Sequence, residues 1–223
     1  PIVNLANIYN KFIDAMAYLE RIFETMNEPP VIEDRPGAVE LPPITGKVEF
    51  DHVSFGYEPG QKILHDVSFT AQPGESIAIV GPTGAGKTTI VNLISRFYNI
   101  EEGAVLIDGH SVMDVTLHSL RSQMGIMLQD SFVFSGTIAD NIRYGRLDAS
   151  DADIVRVSKL LCADEFIQKL PHGYETEVKE RGGGLSQGQK QLIAFARTLL
   201  ADPKILVLDE ATSSIDTSTE QLL

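Results

Sequence analysis

The sequence contains a single cysteine, no tryptophan and few aromatic residues. Cys162 is the only cysteine among 223 residues, so the chain cannot form an internal disulfide. Disulfides are rare in reducing compartments, and the cysteine count fits such a compartment. Hydrophobic residues make up 43% and charged residues 22% of the chain, the usual balance for a globular protein. The length suits one large domain, or one domain with an appendage, around a sizeable core.

The chain also lacks a long hydrophobic run and an excess of basic residues. No stretch approaches the roughly 18 apolar residues that span a bilayer, and Lys11 and Asp14 interrupt the apolar opening segment. No signal-peptide pattern is present. The net charge is −13, and no cluster of Lys and Arg forms a local basic patch. Because nucleic-acid binders normally carry a basic patch or stripe, we expect no nucleic-acid partner.

The first 46 residues divide into a helical pattern and a proline-rich segment. Apolar residues recur at a spacing of three to four over residues 2–26, which predicts an amphipathic helix. This helix either packs on its own domain or is the cytoplasmic end of a helix that arrives from elsewhere. Residues 29–46 contain five prolines with acidic residues between them, which predicts a semi-extended, exposed linker. The apolar positions of the helix are Leu5, Ile8, Phe12, Met16, Leu19, Ile22, Phe23 and Met26.

From Lys47 the pattern changes to that of β-structure. Alternating residues predict strands over 48–55 and 63–70, with a turn at 58–61. Residues 76–80 (Ser-Ile-Ala-Ile-Val) form a continuous apolar run, which is typical of a buried parallel strand. Residues 105–109 indicate a further hairpin.

The second half of the chain is mainly helical. Helical spacing predicts helices over 87–97 and 187–201, and most of 137–170. Residues 205–208 (Ile-Leu-Val-Leu) predict a second buried strand. The sequence therefore predicts an α/β fold with a parallel core, a small antiparallel flank and a helical insertion.

Residues 81–88 (Gly-Pro-Thr-Gly-Ala-Gly-Lys-Thr) match the phosphate-binding pattern G-x-x-x-x-G-K-[ST]. Glycines let backbone N–H groups converge on phosphate oxygens, and the N-terminus of the following helix adds partial positive charge. Lys87 supplies a cation for the β and γ phosphates, and Thr88 offers a hydroxyl to Mg²⁺. The predicted strand before the loop and the predicted helix after it favour this interpretation over a plain glycine-rich turn.

Two carboxylates follow the predicted strand 205–208. Ligands of α/β proteins bind at the carboxyl edge of the sheet, where Asp209 and Glu210 are expected to lie. We expect Asp209 to hold Mg²⁺, largely through water, since this ion keeps most of its hydration. Glu210 is placed to polarise an attacking water. An acidic pair at a strand end is otherwise a helix cap, but the phosphate loop favours the functional interpretation.

Residues 185–189 (Leu-Ser-Gln-Gly-Gln) identify the family. Ser186 and Gln189 fit a capping box that opens the predicted helix, whose N–H groups and dipole could face an anion. With the phosphate loop before it and the two carboxylates after it, this segment resembles the LSGGQ signature of the ABC ATPases, although Gln187 replaces a glycine. The resemblance covers essentially the whole chain and implies a P-loop NTPase core with a helical subdomain at about residues 131–184.

The resemblance also implies roles for individual residues. Tyr57 resembles the aromatic residue that stacks on adenine; without the family it is a strand-end aromatic that fills a hairpin. Gln129 matches the glutamine that senses Mg²⁺ and contacts the membrane domain, and we expect it to be catalytic together with Glu210 and Lys87. Metal contacts are expected from Thr88, Gln129 and Asp209. Nucleotide contacts are expected from Tyr57, Gly81, Thr83, Gly84, Ala85, Gly86, Lys87, Thr88, Thr89, Ser186, Gly188 and Gln189.

Three similarities imply an exporter. The predicted helix and linker before residue 47 resemble a last transmembrane helix that runs into the ATPase. Residues 135–142 and 180–182 resemble exporter segments, and residues 213–216 resemble the loop that links the two ATP sites of a dimer. The resemblance thus divides the chain into a helix end (1–28), a linker (29–46) and an ABC ATP-binding domain (47–223). It implies ATP and Mg²⁺, a second ABC ATPase domain in a homo- or heterodimer, a transmembrane domain, and a place at the cytoplasmic face of the cell membrane.

Other functions remain open from the sequence. A DNA-repair or chromosome-maintenance ABC ATPase needs a long insertion between Lys87 and Ser186, which is absent. An importer subunit would begin near Lys47. A module that binds ATP and dimerises without hydrolysing it is the closest alternative. The resemblance implies a switch histidine after Glu210, but the five histidines all precede Glu210, so none fits that role. The sequence starts at Pro1 and ends at Leu223 within a helical pattern. We therefore expect it to be a piece of a longer protein, and we expect this piece to hydrolyse ATP slowly.

Overall fold

The computed structural model describes residues 2–127, 132–179 and 182–209. The chain forms two compact units, and the boundary between them lies between Glu33 and Asp34.

The first unit contains one long helix, α1 (Ile2–Met26), which confirms the predicted amphipathic helix. None of its residues is buried. The eight apolar side chains of the predicted face are between 47% and 71% exposed. No helix in the described part of the chain is both long enough and apolar enough to cross a membrane.

The second unit contains the predicted antiparallel flank. Four strands form one sheet in the order β2-β1-β3-β4, and every neighbouring pair in it is antiparallel. Inward-facing aromatic residues hold its two long strands together: the rings of Phe50 and Phe69 stack with centroids 4.6 Å apart. The strands are β1 (Val48–Phe55), β2 (Leu64–Ala71), β3 (Glu102–Ile107) and β4 (His110–Ser111).

A parallel pair of strands lies in the same unit. Strands β5 (Met124–Met127) and β8 (Ile205–Leu208) pair in parallel, with Met124 opposite Ile205. The antiparallel sheet packs with helix α2 (Lys87–Ile94), Met124 and Ile205 in one hydrophobic core. We call this the sheet core. Strand 205–208 is therefore confirmed, but it is not buried along its length: Leu206 is 39% and Leu208 45% exposed.

The prediction of a buried parallel strand over residues 76–80 is wrong. These residues form no strand and pair with no described strand. Ile77, Ile79 and Val80 are 44%, 40% and 91% exposed. A run of apolar residues reports a tendency to be buried, whereas a parallel strand also needs a neighbouring strand to pair with. In the described part of the chain β8 has β5 as its partner, and residues 76–80 have none.

The remaining helices form a second hydrophobic core, which we call the helical core. Side-chain caps begin three of its helices: Thr137 and Ser150 each form a capping box with the aspartate three residues later, and Ser186 forms one with Gln189. Helix α7 (Gln187–Leu200) supplies the predicted inner face, with Leu192, Ile193, Phe195, Ala196 and Leu200 buried. A short two-stranded sheet, β6 (Gly136–Thr137) with β7 (Glu177–Val178), flanks this core. Its helices are α4 (Ile138–Arg143), α5 (Asp151–Leu160), α6 (Ala163–Ile167) and α7 (Gln187–Leu200), and α3 (Leu117–Arg121) lies in the sheet core.

The proline-rich segment forms no helix and contains a turn at residues 36–37, and it is not exposed throughout as predicted. Leu41 and Ile44 are buried in the sheet core, at 5% and 6% exposure. An extended chain leaves its N–H groups free to pair with side chains, and α3 and the residues after it supply the acceptors. The Leu41 N–H donates to Ser119 Oγ over 2.9 Å, and the Ile44 N–H donates to Gln123 Oε1 over 2.9 Å. Leu41 and Ile44 thereby fasten this part of the segment to the rest of the second unit.

Asp108 fastens the end of this segment to the sheet. Its carboxylate accepts hydrogen bonds from the N–H groups of Thr45 and Lys47 and from the Thr45 hydroxyl, and its own N–H donates to the Lys47 carbonyl. Partial burial alone raises the pKa of Asp108, but these hydrogen bonds outweigh it and hold the pKa below the usual value. Asp108 therefore stabilises the fold in its ionised form.

Asp108→Asn should lower the free energy of unfolding by about 1 kcal/mol at neutral pH, since the amide offers one acceptor oxygen where the carboxylate offers two. Asparagine tolerates the left-handed backbone of residue 108, where φ is 48°. Because the pKa of Asp108 is lowered in the folded state, its contribution is complete above about pH 4 and is lost as the pH falls through the folded-state pKa. Urea denaturation at several pH values measures the effect.

Asp202→Asn is the matched control. Asp202 has a similar φ of 52°, but its side chain is 81% exposed and pairs with Lys204 at the surface. Its substitution should change stability by less than about 0.5 kcal/mol. Equal losses in the two variants would contradict the role given to Asp108.

Candidate functional site

The loop of residues 81–88 leads directly into α2. Gly84 and Gly86 have positive φ values of 85° and 91°, and Gly86 is the N-cap of the helix. A Cβ on Gly86 would lie 2.7 Å from Leu64 Cδ2, so a larger residue would collide with the sheet as well as strain the backbone. The Ala85 N–H donates to the Pro82 carbonyl over 3.1 Å and closes a turn. The two glycines thus let the loop bend tightly against the sheet and place the helix N-terminus at its end.

Lys87 lies over the loop that it follows. Its ammonium group donates to the carbonyl oxygens of Gly81 over 2.8 Å and Pro82 over 3.1 Å. These contacts hold a full positive charge against the loop. A lysine at the positive end of a helix beside a glycine-rich loop is an arrangement that binds phosphate.

Thr88 and Asp209 meet, as the sequence predicts for a metal site. Thr88 Oγ1 donates to Asp209 Oδ2 over 2.9 Å. The Asp209 N–H donates to the Met127 carbonyl over 2.9 Å, which continues the pairing of β8 with β5 and fixes the backbone of Asp209. A hydroxyl and a carboxylate are hard oxygen ligands of the kind that Mg²⁺ takes, one or two at a time, together with phosphate oxygens and water. The residues present therefore fit Mg²⁺.

The rest of the described chain offers no competing metal site. Across residues 2–127, 132–179 and 182–209, no three His, Cys, Asp or Glu side chains come close enough together to hold a metal ion. The Thr88–Asp209 pair is too small to count as such a group, which is consistent with an ion that takes most of its ligands from phosphate and water.

Tyr57 and Thr89 are also brought together. The Tyr57 hydroxyl lies 3.1 Å from Thr89 Oγ1 and 3.1 Å from Asn92 Nδ2. Thr89 is buried, at 4% exposure, whereas Tyr57 is 44% exposed. The aromatic residue that follows β1 is therefore connected to the first two turns of α2. Sequence reasoning missed Asn92, although its place one helical turn after Thr89 is a signal that spacing could have given.

Ser186 and Gln189 form the predicted capping box. The Gln189 N–H donates to Ser186 Oγ over 3.2 Å, and the Ser186 N–H donates to Gln189 Oε1 over 2.9 Å. Gly188 lies in the first turn of α7. This helix packs in the helical core, whereas α2 packs in the sheet core. The two sequence motifs are thus held by different cores.

Asn141 and Arg197 form a hydrogen-bonded cluster that sequence reasoning missed. Asn141 is 2% exposed; its side chain accepts from the Phe134 N–H over 2.8 Å and donates to the carbonyls of Phe134 and Thr137 over 3.0 Å. Arg197, on α7, donates to the carbonyls of Asn141 over 2.9 Å and Phe132 over 3.0 Å. Burial lowers the pKa of Arg197. The cluster fastens residues 132–137 to α4 and α7. The one signal in the sequence is that Asn141 and Arg197 are polar residues within helical patterns that are otherwise apolar.

Several predicted functional residues lie outside the described residues. These are Gln129, Glu210, the segment residues 180 and 181, and the loop 213–216. Their roles stay predictions.

A comparison with protein families decides the identity. The profile of the ABC transporter family matches residues 64–213, which contain the phosphate loop, Ser186, Gln189 and Asp209. The chain belongs to the ABC transporter family.

Individual relatives agree with this assignment. An uncharacterized ABC transporter ATP-binding protein of Bacillus subtilis, YknV, is 53% identical over 99% of this chain. A fatty acid ABC transporter ATP-binding/permease protein of Mycobacterium bovis is 50% identical over 100% of the chain. The solved structure of a bacterial Atm1-family ABC exporter with ATP bound matches 98% of the chain with a TM-score of 0.90 and 44% identity. The chain spans only 36%, 35% and 38% of these three proteins.

The comparisons confirm the predicted fold class. An ABC ATP-binding domain combines a P-loop NTPase core with an antiparallel sheet and a helical part, and the described sheets and helices fit this fold. The ABC domain is a nucleotide-binding domain. The relatives named here are ABC transporter or exporter proteins.

Lys87→Ala should weaken binding of inorganic tripolyphosphate by about tenfold to a hundredfold, because it removes the charged donor from the loop. Calorimetric titration measures the affinity. Lys159→Ala, which removes an exposed lysine from α5, should leave it unchanged. Equal affinity for tripolyphosphate in the wild type and Lys87→Ala would show that residues 81–88 do not form the phosphate site.

Proposed function

We propose that this chain binds ATP with Mg²⁺ and hydrolyses ATP as the nucleotide-binding domain of an ABC exporter. One observation carries the proposal: the hydroxyl of Thr88, at the end of the phosphate loop, donates to the carboxylate of Asp209 at the end of β8. This contact joins the two halves of a nucleotide–metal site that lie far apart in the sequence.

The loop of residues 81–88 binds the phosphates in this proposal. Its backbone N–H groups and the N-terminus of α2 face the anion, and the positive φ of Gly84 and Gly86 permits that backbone course. Lys87 moves its ammonium from the carbonyls of Gly81 and Pro82 to the β and γ phosphate oxygens. The loop residues proposed to contact the nucleotide are Gly81, Thr83, Gly84, Ala85, Gly86, Lys87, Thr88 and Thr89.

Thr88 and Asp209 hold Mg²⁺, with Gln129 as a third proposed contact. Mg²⁺, when bound, neutralises charge that develops on the phosphate oxygens. Asp209 is suited to this position because its backbone is fixed by the hydrogen bond to Met127. Its carboxylate can therefore hold the ion without first being ordered.

Glu210 acts as the proton acceptor in the proposed hydrolysis. The oxygen of a water forms a bond to the γ-phosphorus while the bond between that phosphorus and the β,γ-bridging oxygen breaks. The water gives a proton to the Glu210 carboxylate, and the products are ADP and phosphate. Lys87 stabilises the charge on the transferred group through its ammonium.

Two such domains are proposed to form one working unit. Ser186, Gly188 and Gln189 open α7, and the positive end of this 14-residue helix can stabilise an anion. This end is held by the helical core and the phosphate loop by the sheet core. The separation supports a head-to-tail dimer in which the loop of one domain is completed by Ser186 of the partner domain. The dimer is either homo- or heterodimeric.

The proposal of transport rests on the relatives rather than on the described residues. We propose residues 1–28 as the end of a transmembrane-domain helix, 29–46 as a linker and 47–223 as the ATP-binding domain at the cytoplasmic face of a membrane. Hydrogen bonds of Leu41 and Ile44 hold the end of the proposed linker within the second unit. The similarity to an Atm1-family exporter supports export. The substrate is unidentified.

Glu210→Gln should reduce phosphate release from ATP by at least about a hundredfold, the range of general-base catalysis, because an amide cannot accept the proton. Affinity for ATP should stay within about twofold. The measurement is steady-state phosphate release with Mg²⁺, together with an ATP titration. Glu165→Gln, an exposed glutamate of α6, is the control and should match the wild type.

Two outcomes would contradict the proposal. Undiminished phosphate release in Glu210→Gln would remove Glu210 from the role of base. ATP binding by the wild type with no phosphate release would leave the alternative of a module that binds nucleotide without hydrolysing it.

A further inference from the structure

Two residues of α2 hold the hydroxyl of Tyr57. Asn92 Nδ2 donates to the Tyr57 oxygen over 3.1 Å, and Thr89 Oγ1 lies 3.1 Å from the same oxygen. Because the Asn92 amide nitrogen is only a donor, Tyr57 accepts this bond, whereas either hydroxyl can donate in the contact with Thr89. The three groups form a hydrogen-bonded chain from Asn92 through Tyr57 to Thr89.

The ring and backbone of Tyr57 are held as well. The rings of Phe55 and Tyr98 pack against it in T-shaped arrangements, with ring centroids 5.1 Å and 4.8 Å away. The preceding Gly56 is pressed against the chain, since a Cβ there would lie 2.1 Å from the Gln61 carbonyl oxygen. Tyr57 is nevertheless 44% exposed. An exposed aromatic ring that is held from three sides is not explained by filling a hairpin alone.

The same helix carries the phosphate site. Helix α2 begins at Lys87 and is eight residues long, and Thr89 and Asn92 lie in its first two turns. A rigid helix therefore fixes the separation between the Lys87 ammonium and the Tyr57 ring. A ligand that uses both must present an aromatic ring at a fixed distance from its phosphates, as a nucleotide does.

We propose that Asn92 and Thr89 are positioning residues that hold the Tyr57 ring ready for a nucleobase to stack on it. The proposal rests on the proposed function and adds to it the residues that act through Tyr57. A ring that is already ordered loses little conformational entropy on binding, which increases affinity. Stacking uses the π-face that every base has. The positioned Tyr57 ring therefore distinguishes nucleotides from inorganic phosphates rather than one base from another.

Tyr57→Phe and Asn92→Ala test the proposal. Each keeps the aromatic ring and breaks the chain of hydrogen bonds, and each should weaken MgATP binding by about threefold to tenfold, the range of an ordinary net hydrogen bond. Binding of inorganic tripolyphosphate with Mg²⁺ should stay within twofold of the wild type. Asn92 is a sharper probe than Thr89, because Thr89 adjoins Thr88 and its substitution would also alter the phosphate loop.

The double variant and a control complete the design. If Tyr57 and Asn92 act as one unit, the double variant should bind MgATP with the same affinity as whichever single variant has the lower affinity. Tyr98→Phe removes a hydroxyl from a neighbouring ring, for which the described structure shows only ring contacts. It should leave the preference for ATP over tripolyphosphate unchanged. Affinities come from calorimetric titration of the whole 223-residue chain, with thermal denaturation as the check on folding.

Three results would overturn the inference. They are unchanged ATP affinity in Tyr57→Phe and Asn92→Ala, equal weakening of ATP and tripolyphosphate, and independent effects that multiply in the double variant. If the wild type binds neither ligand, the proposed function itself fails, and the inference fails with it. If the wild type binds both ligands equally, the phosphate site stands and the role of Tyr57 is refuted.

Discussion

A hydrogen bond from Thr88 Oγ1 to Asp209 Oδ2, 2.9 Å long, joins two segments that are 121 residues apart in the sequence. Two features of the second unit make this contact possible. The sheet core fixes α2, and the glycine at position 86 lets the loop approach the sheet. The parallel pairing of β5 and β8 carries Asp209 to the same place. If either arrangement were lost, the Thr88 hydroxyl and the Asp209 carboxylate would not come into contact.

The two hydrophobic cores of the second unit hold different functional groups. The sheet core holds the groups proposed to bind phosphate, metal and base, whereas the helical core holds Ser186 and the start of α7. The Asn141–Arg197 cluster fastens residues 132–137 to the helical core, so this segment and α7 form one packed region. In the proposed dimer, the phosphate loop of one domain and Ser186 of the partner domain together complete an ATP site.

Sequence reasoning succeeded where the signal is local. The capping box at Ser186, the loop at residues 81–88 and the helix 2–26 each depend on spacings of a few residues, and the structure contains all three. It failed at residues 76–80, because apolar composition does not say whether a partner strand is present. The prediction of an exposed linker also failed for Leu41 and Ile44. Proline-rich composition gives no information about Ser119 and Gln123, which lie far away in the sequence and accept hydrogen bonds from these residues. Asn92 and Arg197 were missed because their hydrogen bonds join elements that are distant in sequence.

The central claim is that Thr88 and Asp209 complete one metal site with the phosphates of ATP. Electron paramagnetic resonance of Mn²⁺, used in place of Mg²⁺, measures this directly by counting free and bound ion with and without ATP, against ATP alone, since ATP itself binds Mn²⁺. The account predicts tight Mn²⁺ binding only when ATP is present, and at least about a tenfold loss of Mn²⁺ affinity in both Thr88→Val and Asp209→Asn. Mn²⁺ binding that is indifferent to ATP, or that survives unchanged in both variants, would contradict it.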